Sequence, residues 1–391
     1  MTTCTLTLTI IWCIAVFVIF WAMIGYPVSL VILNKLFKRK NAKDYSYEPT
    51  VSMMVVAHNE EKVIEEKLNN LLKVDYPAEK LEILVASDFS TDKTNEIVEN
   101  FIATHPEYKI RIHKTVNHFG KTNAQNEAQE LCNSEILVMT DANAMFEPNA
   151  VRELVSYFTE PSIAYVAGQL RYKNVDGNKT ASSEGFYWKL DLFCRSVESR
   201  FKTITAGNGA IYAVRNKDYK KIPPIECHDA TFPVAFALEK KRAIYNPDAI
   251  AYEKAGEKNQ DEFKRKVRMS RLILKRICPS LRVFNVFSYG WFSYFFFGHR
   301  FCRYLLWLMH LLVFAINIPL AILGGLPWQI VLGMQTLFYL TALAGWITKS
   351  GNRWVKMVSY YCMTVAAQWK GVINMITGKS KPVWEKAEST R

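Results

Sequence analysis

Two long stretches of this 391-residue chain carry no Asp, Glu, Lys or Arg: Leu6 to Leu33 and Tyr304 to Thr348. Each is long enough to cross a hydrocarbon layer about 30 Å thick, so the chain is confined to folds anchored in a bilayer. Gly324-Gly325-Leu326-Pro327 interrupts the second stretch and predicts a hairpin of two spans. Lys35, Lys38, Arg39, Lys40 and Lys43 follow the first run, Arg300 and Arg303 precede the second, and Lys349 and Arg353 follow it. By the positive-inside rule these flanks lie in the cytoplasm. No basic segment precedes the first run and no small-residue cleavage site follows it, so an anchor is expected rather than a signal peptide.

Two further segments bear on the membrane. Trp354 to Ile376 is apolar but carries Lys356, Gln368 and Lys370, which predicts an interfacial or re-entrant helix, with a fourth span as the alternative. Phe284 to Phe301 is dense in aromatic residues and suits an amphipathic helix in the headgroup layer, although a buried helix has the same composition. The expected organisation is a membrane helix at 1–34, a globular domain at 48–276, interface helices at 280–303, a membrane hairpin at 304–348, and a final helix and tail at 354–391.

Between the apolar runs the pattern changes. Val51 to Ala57, Leu81 to Ala86 and Glu135 to Met139 are short strand-like runs, each followed by a polar, helix-like stretch. This alternation predicts an α/β domain with a mainly parallel sheet, whose ligands bind at the carboxyl ends of the strands. Polar clusters stand at those ends: Ala57-His58-Asn59-Glu60, Ser87-Asp88 continuing to Thr94, Gly120-Lys121-Thr122-Asn123, and Asp141-Ala142-Asn143. Helix capping or a simple turn would explain any one of them. Four in succession on one domain point to a ligand.

Composition narrows the ligand. The net charge of +13 favours anionic partners, either lipid headgroups or phosphates. The basic residues cluster beside the apolar runs and form no nucleic-acid-binding motif, so nucleic acid is not expected. The eight cysteines form no CxxC pair, which argues against a zinc site or a disulfide framework and for reduced thiols. The absence of mid-span charge argues against a transporter.

These motifs resemble the inverting family 2 glycosyltransferases, in particular the membrane-integrated branch with the cellulose, hyaluronan and poly-N-acetylglucosamine synthases. The resemblance implies a Rossmann-like GT-A domain in the cytoplasm, one N-terminal and two to three C-terminal membrane helices, and amphipathic interface helices. It also implies that Ala57, Asn59 and Glu60 begin the nucleotide pocket, that Asp88 meets the uridine, and that Lys121 assists donor binding. Asp141 and Asn143 stand at the DxD motif, which holds Mg²⁺ or Mn²⁺ against the diphosphate; Asn143 offers a neutral oxygen where the family has an acid. Asp229 matches the general base, with His228 in place of the neighbouring acid. Arg265 and Arg268 match the family's diphosphate-binding arginine motif, and Met269 replaces its tryptophan. Gly207-Asn208-Gly209-Ala210 resembles the loop on the acceptor side, and Trp384, Glu385, Lys386 and Arg391 echo a common ending of this branch.

The implied activity is transfer of a hexose or N-acetylhexosamine from a UDP-sugar to a growing polysaccharide at the inner-membrane surface. In its stronger form that activity is processive and coupled to translocation. A lipid-linked acceptor is the alternative, and a non-catalytic scaffold is the rival that Asn143, His228 and Met269 leave open. The sequon Asn178-Lys179-Thr180 falls on the cytoplasmic side of this topology and is discounted.

Overall fold

The alternation of apolar runs resolves into one eight-stranded sheet in a computed structural model that describes residues 3–37, 39–173, 179–254, 259–348 and 350–383. The sequon asparagine, Lys38, Lys349 and Trp384 to Arg391 lie outside the described residues. The strands are β1 (Val51–Ala57), β2 (Leu81–Ser87), β3 (Ile110–Lys114), β4 (Ile136–Asp141), β5 (Met145–Phe146), β6 (Ile163–Lys173), β7 (Ile211–Arg215) and β8 (Arg242–Lys254). Their order is β3-β2-β1-β4-β7-β6-β8-β5.

The first four strands are parallel. Every residue of β1 is buried, as expected for a strand covered on both faces. Beyond β4 antiparallel pairings enter, so the sheet is mixed, with four of its seven strand pairings parallel among the described residues. The chain returns to the sheet at the carboxyl end of β4, where Ile211 opposes Thr140, so β7 must run back antiparallel to both β4 and β6. β8 is parallel to β6, and β5 pairs antiparallel with β8 through Met145 and Tyr252. The ends of β1, β2 and β4 therefore face the start of β7, and the polar clusters gather along one edge.

Among the described residues three helices are long and apolar enough to cross a membrane: Thr3–Leu36, Leu306–Leu323 and Leu326–Thr348. The last two form the hairpin. Arg353–Ile376 is one unbroken helix. It packs on the hairpin through Ser359, whose hydroxyl donates to the Ala342 carbonyl (3.0 Å), and on the globular domain through Gly371, which lies against Ser270.

The aromatic stretch buries one face against the protein and leaves another exposed. Phe292, Phe295 and Phe296 are fully buried; Val286 and Phe287 are exposed. Phe295 joins Tyr26, Leu30, Cys194, Val197 and Phe201 in one cluster, while Phe292 and Phe296 join Val234, Ala237 and Val283 in another. Gly298 makes the first junction possible, because a Cβ there would fall 2.1 Å from the Tyr26 ring. The segment thus fixes the first candidate membrane helix to the globular domain by burying apolar area between protein elements.

Candidate active site

The nucleotide-side residues are built by the turns after β1 and β2. Ala57 ends β1, and its carbonyl accepts from the Asp88 amide (2.8 Å). Asn59 adopts a left-handed backbone (φ 52°), a conformation that asparagine tolerates better than most residues. Its Oδ1 accepts from the amides of Thr91 (2.7 Å) and Asp92 (3.3 Å), and its own amide donates to Ser90 Oγ (3.1 Å). Asn59 thus stitches the two turns together. The Glu60 amide donates to Thr94 Oγ1 (2.7 Å), which ties the same turn to the next helix.

Asp88 is buried below this turn. His118 Nδ1 lies 2.8 Å from its Oδ2, and His58 Nδ1 lies 2.6 Å from its carbonyl. The two imidazoles stack with centroids 3.8 Å apart. Oδ1 of Asp88 is buried with no hydrogen-bond partner among the described residues. Burial raises the Asp88 pKa, and the two histidines oppose that rise only in part. A buried carboxylate with one unused oxygen is suited to accept an N–H from a ligand.

The cation-side residues follow β4. Asp141, partly exposed, forms an ion pair with Lys121 at the start of the helix Lys121–Gln129. Lys121 also donates to the Gly209 carbonyl (2.8 Å). Asn143 Nδ2 donates to Glu253 Oε1 of β8 (2.6 Å). The donor set here is carboxylate and amide oxygen, the hard ligands that Mg²⁺ and Mn²⁺ prefer, and an ammonium already rests against Asp141 as a cation would. These residues fit a divalent cation.

Asp229 lies in the first turn of the helix His228–Leu238, on the other side of Gly209. A methyl carbon at Gly209 would stand 3.6 Å from Lys121 Nζ and 3.8 Å from Asp229 Oδ2. Lys121, paired with Asp141, and Asp229 therefore both come close to Gly209. Burial alone would raise the Asp229 pKa. A hydrogen bond from the Cys227 thiol and the charges of Arg276, Lys121 and Arg195 outweigh it and hold the group below its ordinary value. The Cys227 sulfur in turn accepts from Arg276 (3.1 Å).

Other residues named from the sequence lie differently. His228 is buried between the hydroxyls of Tyr212 (2.9 Å) and Tyr219 (3.1 Å), and burial pulls it down to about 3. It is a neutral structural histidine. Arg265 binds Glu262 (2.7 Å) and Tyr172 (3.3 Å), contacts that hold it to its own helix and to β6. Arg268 stands in the field of Asp141 and Glu253; burial, Arg265 and Arg271 lower its pKa. Met269 is exposed. Behind Gly120, which opens the Lys121 helix at φ 94°, the Pro382 carbonyl lies only 2.8 Å from where a Cβ would sit, and Arg271 holds that carbonyl at 3.1 Å.

Several functional candidates escape sequence reasoning. Lys67 is fully buried and donates to Thr140 Oγ1 (2.9 Å) and the Ala144 carbonyl, bracing the turn that carries Asp141 and Asn143. Burial pulls its pKa down to about 7, with Asp141 opposing. The signal was present: Lys67 shares a helix face with Ile64, Leu68 and Leu71. Glu253, His118 and Arg195 gave no such signal.

Arg195 belongs to a buried ionic chain. Tyr26 of the first membrane helix donates to Glu198 (2.6 Å), and His299 bridges Glu198 (2.6 Å) and Asp191 (2.9 Å). Arg303 (2.8 Å) and Arg195 (2.7 Å) pair with Asp191. Arg195 also donates to the Gly207 carbonyl, and the Gly207 amide donates to the Asp229 carbonyl (2.7 Å). The membrane helix is thereby connected to the Asp229 backbone.

Comparison with known proteins bears on the family and the fold. Residues 52–222 match the family model for glycosyl transferase family 2. The probable glycosyltransferase YdaM of Bacillus subtilis is 31% identical over 172 residues, 43% of this chain and 40% of that protein. The beta-monoglucosyldiacylglycerol synthase of Synechocystis is 28% identical over 163 residues, 42% of this chain and 33% of that one. The poly-beta-1,6-N-acetyl-D-glucosamine synthase of Staphylococcus epidermidis is 27% identical over 159 residues, 40% and 37% of the two chains. The chain thus spans less than half the length of these curated relatives. Among solved structures, a mannosyltransferase of Pyrobaculum calidifontis in complex with GDP-Man and Mn²⁺ superposes with a TM-score of 0.74 at 21% identity, covering 94% of this chain and 99% of that one. That likeness is one of fold.

Proposed function

We propose that this chain, whose residues 52–222 form a glycosyltransferase family 2 domain in a GT-A fold with three candidate membrane helices, catalyses a metal-assisted, inverting transfer. The sugar, a hexose or N-acetylhexosamine, passes from a UDP-sugar to a growing saccharide at the cytoplasmic face of the cell membrane. The observation that carries this reading is the convergence of Asp141, Lys121 and Asp229 around Gly209. Such a cleft has a cation-binding carboxylate on one side and a carboxylate base on the other, which is the division of labour a single displacement needs.

In this reading Asp88 accepts an N–H of the donor base through its unused oxygen. Asp141 and the amide oxygen of Asn143 hold the cation, which when bound neutralises charge on the departing diphosphate. Lys121 gives up Asp141 and donates to the phosphates, and Arg268 adds charge-assisted bonds from the opposite side. Asp229, kept ionised by its cationic neighbours, takes the proton of the acceptor hydroxyl as its oxygen attacks the anomeric carbon.

The acceptor has a second reading, a single sugar placed on a lipid-linked acceptor. One observation favours it: the three candidate spans bury only 11%, 33% and 6% of their most apolar windows, so they present their sides to lipid and enclose little between them. The test is a panel of UDP-sugars with GDP-mannose, given to detergent-purified protein with Mn²⁺, Mg²⁺ or EDTA. Nucleotide release only with metal, and only from UDP-sugars, supports the reading. Release from GDP-mannose alone overturns the donor, and undiminished release in EDTA overturns the metal. Product mass separates the acceptors: a ladder marks a polymer and a single increment a lipid-linked sugar.

A further inference from the structure

We propose that Glu253 is a positioning residue for the cation site, turning Asn143 so that its amide oxygen, rather than its nitrogen, faces the ion held by Asp141. This rests on the reading above that Asp141 binds a divalent cation. An asparagine amide has a donor end and an acceptor end of nearly equal size, and only its neighbours decide which way it points. An ionised carboxylate can only accept. With Glu253 Oε1 2.6 Å from the Asn143 nitrogen, that end of the amide is fixed and Oδ1 is directed away from Glu253. Among the described residues no hydrogen bond reaches Oδ1 of Asn143, although the residue is 9% exposed.

The fold places Glu253 for this task. Tyr252 of β8 pairs with Met145 of β5, so the next residue of β8 runs alongside the turn 142–144. Lys67 secures the same turn from below through Thr140 and the Ala144 carbonyl. The turn is therefore rigid on two sides and carries one anionic ligand, Asp141, and one neutral oxygen. A carboxylate behind a neutral ligand raises that ligand's basicity, as outer-sphere carboxylates do for metal-bound histidines. Glu253 thus returns to the site part of the negative charge that Asn143 lacks.

The experiment is a Mn²⁺ titration of the detergent-purified full chain in the presence of UDP. Free Mn²⁺ is followed by its paramagnetic resonance signal and folding by the thermal midpoint. Glu253→Gln should weaken Mn²⁺ binding by roughly 10-fold or more, the usual cost of losing an outer-sphere partner. Because Glu253 acts through Asn143, the same change in an Asn143→Ala background should add little; fully additive losses would overturn the proposal. So would unchanged affinity in Glu253→Gln while Asp141→Asn abolishes binding. If Asp141→Asn binds Mn²⁺ as well as the parent, the cation site itself is misassigned, a different failure. Should Glu253→Gln not fold, Glu253→Asp replaces it, retaining the charge while its shorter arm breaks the 2.6 Å bond, with the same loss expected.

Discussion

The two sides of the cleft are made in different ways. In the proposed reading the donor side hangs on β1, β2 and β4, parallel strands whose carboxyl ends deliver Ala57, Asp88 and Asp141 within one edge of the sheet. Each of its motifs is a turn that follows its own strand, tied to its surroundings by single side-chain bonds such as Asn59–Thr91, Lys121–Asp141 and Asn143–Glu253. The acceptor side is assembled from β7, the helix starting at His228 and the loop at Gly207. That loop is held from outside by Arg195, Asp191, Glu198, His299 and Tyr26, residues drawn from distant parts of the chain. A local turn survives the loss of distant partners, whereas a loop held by a buried ionic chain does not. Variants on the acceptor side should therefore change catalysis and stability together, and those on the donor side should be separable.

The most severe test of the comparison is Asp229→Asn. Removing a general base costs about 10²–10⁴ in rate, and the loss should fall on kcat while Mn²⁺ and nucleotide binding stay at parent values. Because neighbouring cations hold the Asp229 pKa below its ordinary value, the group remains ionised as pH falls through the carboxylate range. The acidic side of the kcat/KM profile should accordingly stay flat to about pH 5. A limb centred above about pH 6, in the range of an ordinary histidine, would assign the proton transfer to another group.

Arg195→Met comes next. It removes one of three cations around Asp191 and frees the Gly207 carbonyl, with His299 and Arg303 still in place. Breaking a buried pair from one side costs about 3–5 kcal/mol when nothing else compensates, so a loss of about 2 kcal/mol is expected here. Turnover should fall about 10- to 100-fold through the displaced loop, while the donor KM holds. A matching rise in donor KM would mean that the two sides are not independent, and the comparison would fail.

That contrast explains what the sequence disclosed. Strand-end motifs are contiguous, so Ala57, Asn59, Asp88, Lys121 and Asp141 are legible without coordinates, and Asp229 follows from family resemblance. The half of the sheet that runs back on itself was not legible, because β7's direction depends on where the preceding chain returns. Glu253 and Arg195 were invisible for the same reason: each meets its partner through tertiary contact, Glu253 across 110 positions from Asn143. His228 in its Cys-His-Asp run reads from sequence either as a group that tunes the base or binds substrate or as a hydrogen-bonded structural histidine, and the two tyrosine hydroxyls around it favour the second. The aromatic stretch at 284–301 has one composition for two environments, and its packing against Tyr26 and Val234 is a tertiary contact that composition does not reveal.

On the donor side, Lys67 gives a pH-dependent test. Its pKa in the fold is about 7, against 10.5 for the free side chain. Between those values the unfolded chain binds more protons than the folded one, so stability must rise with pH across that window. The gain is a few kcal/mol at most, since each tenfold loss of proton affinity on folding is worth about 1.4 kcal/mol. The thermal midpoint of the parent should climb from about pH 7 to about pH 9, and Lys67→Met should abolish the climb. An equal climb in the variant would place the titrating group elsewhere.

The mildest test is Tyr26→Phe, which deletes one hydroxyl at the junction of membrane helix and globular domain. Its bond to Glu198 is 2.6 Å long and fully buried, and bonds to charged groups are worth about 1.5–3 kcal/mol. His299 stays within 2.6 Å of Glu198, so the carboxylate is not left alone. A cost near or just below the lower end of that range, about 1 kcal/mol, is therefore expected. For a domain of this size that lowers the thermal midpoint by about 2–4 °C. The ring still packs on Gly298 and the helix stays seated, so any kinetic change has to travel through Glu198, His299 and Asp191 to Arg195. A small fall in kcat at constant donor KM would show that the first membrane helix sets the position of the Gly207 loop. Unchanged kcat with the expected thermal shift would confine that helix to anchoring, and the acceptor side would then end at Arg195.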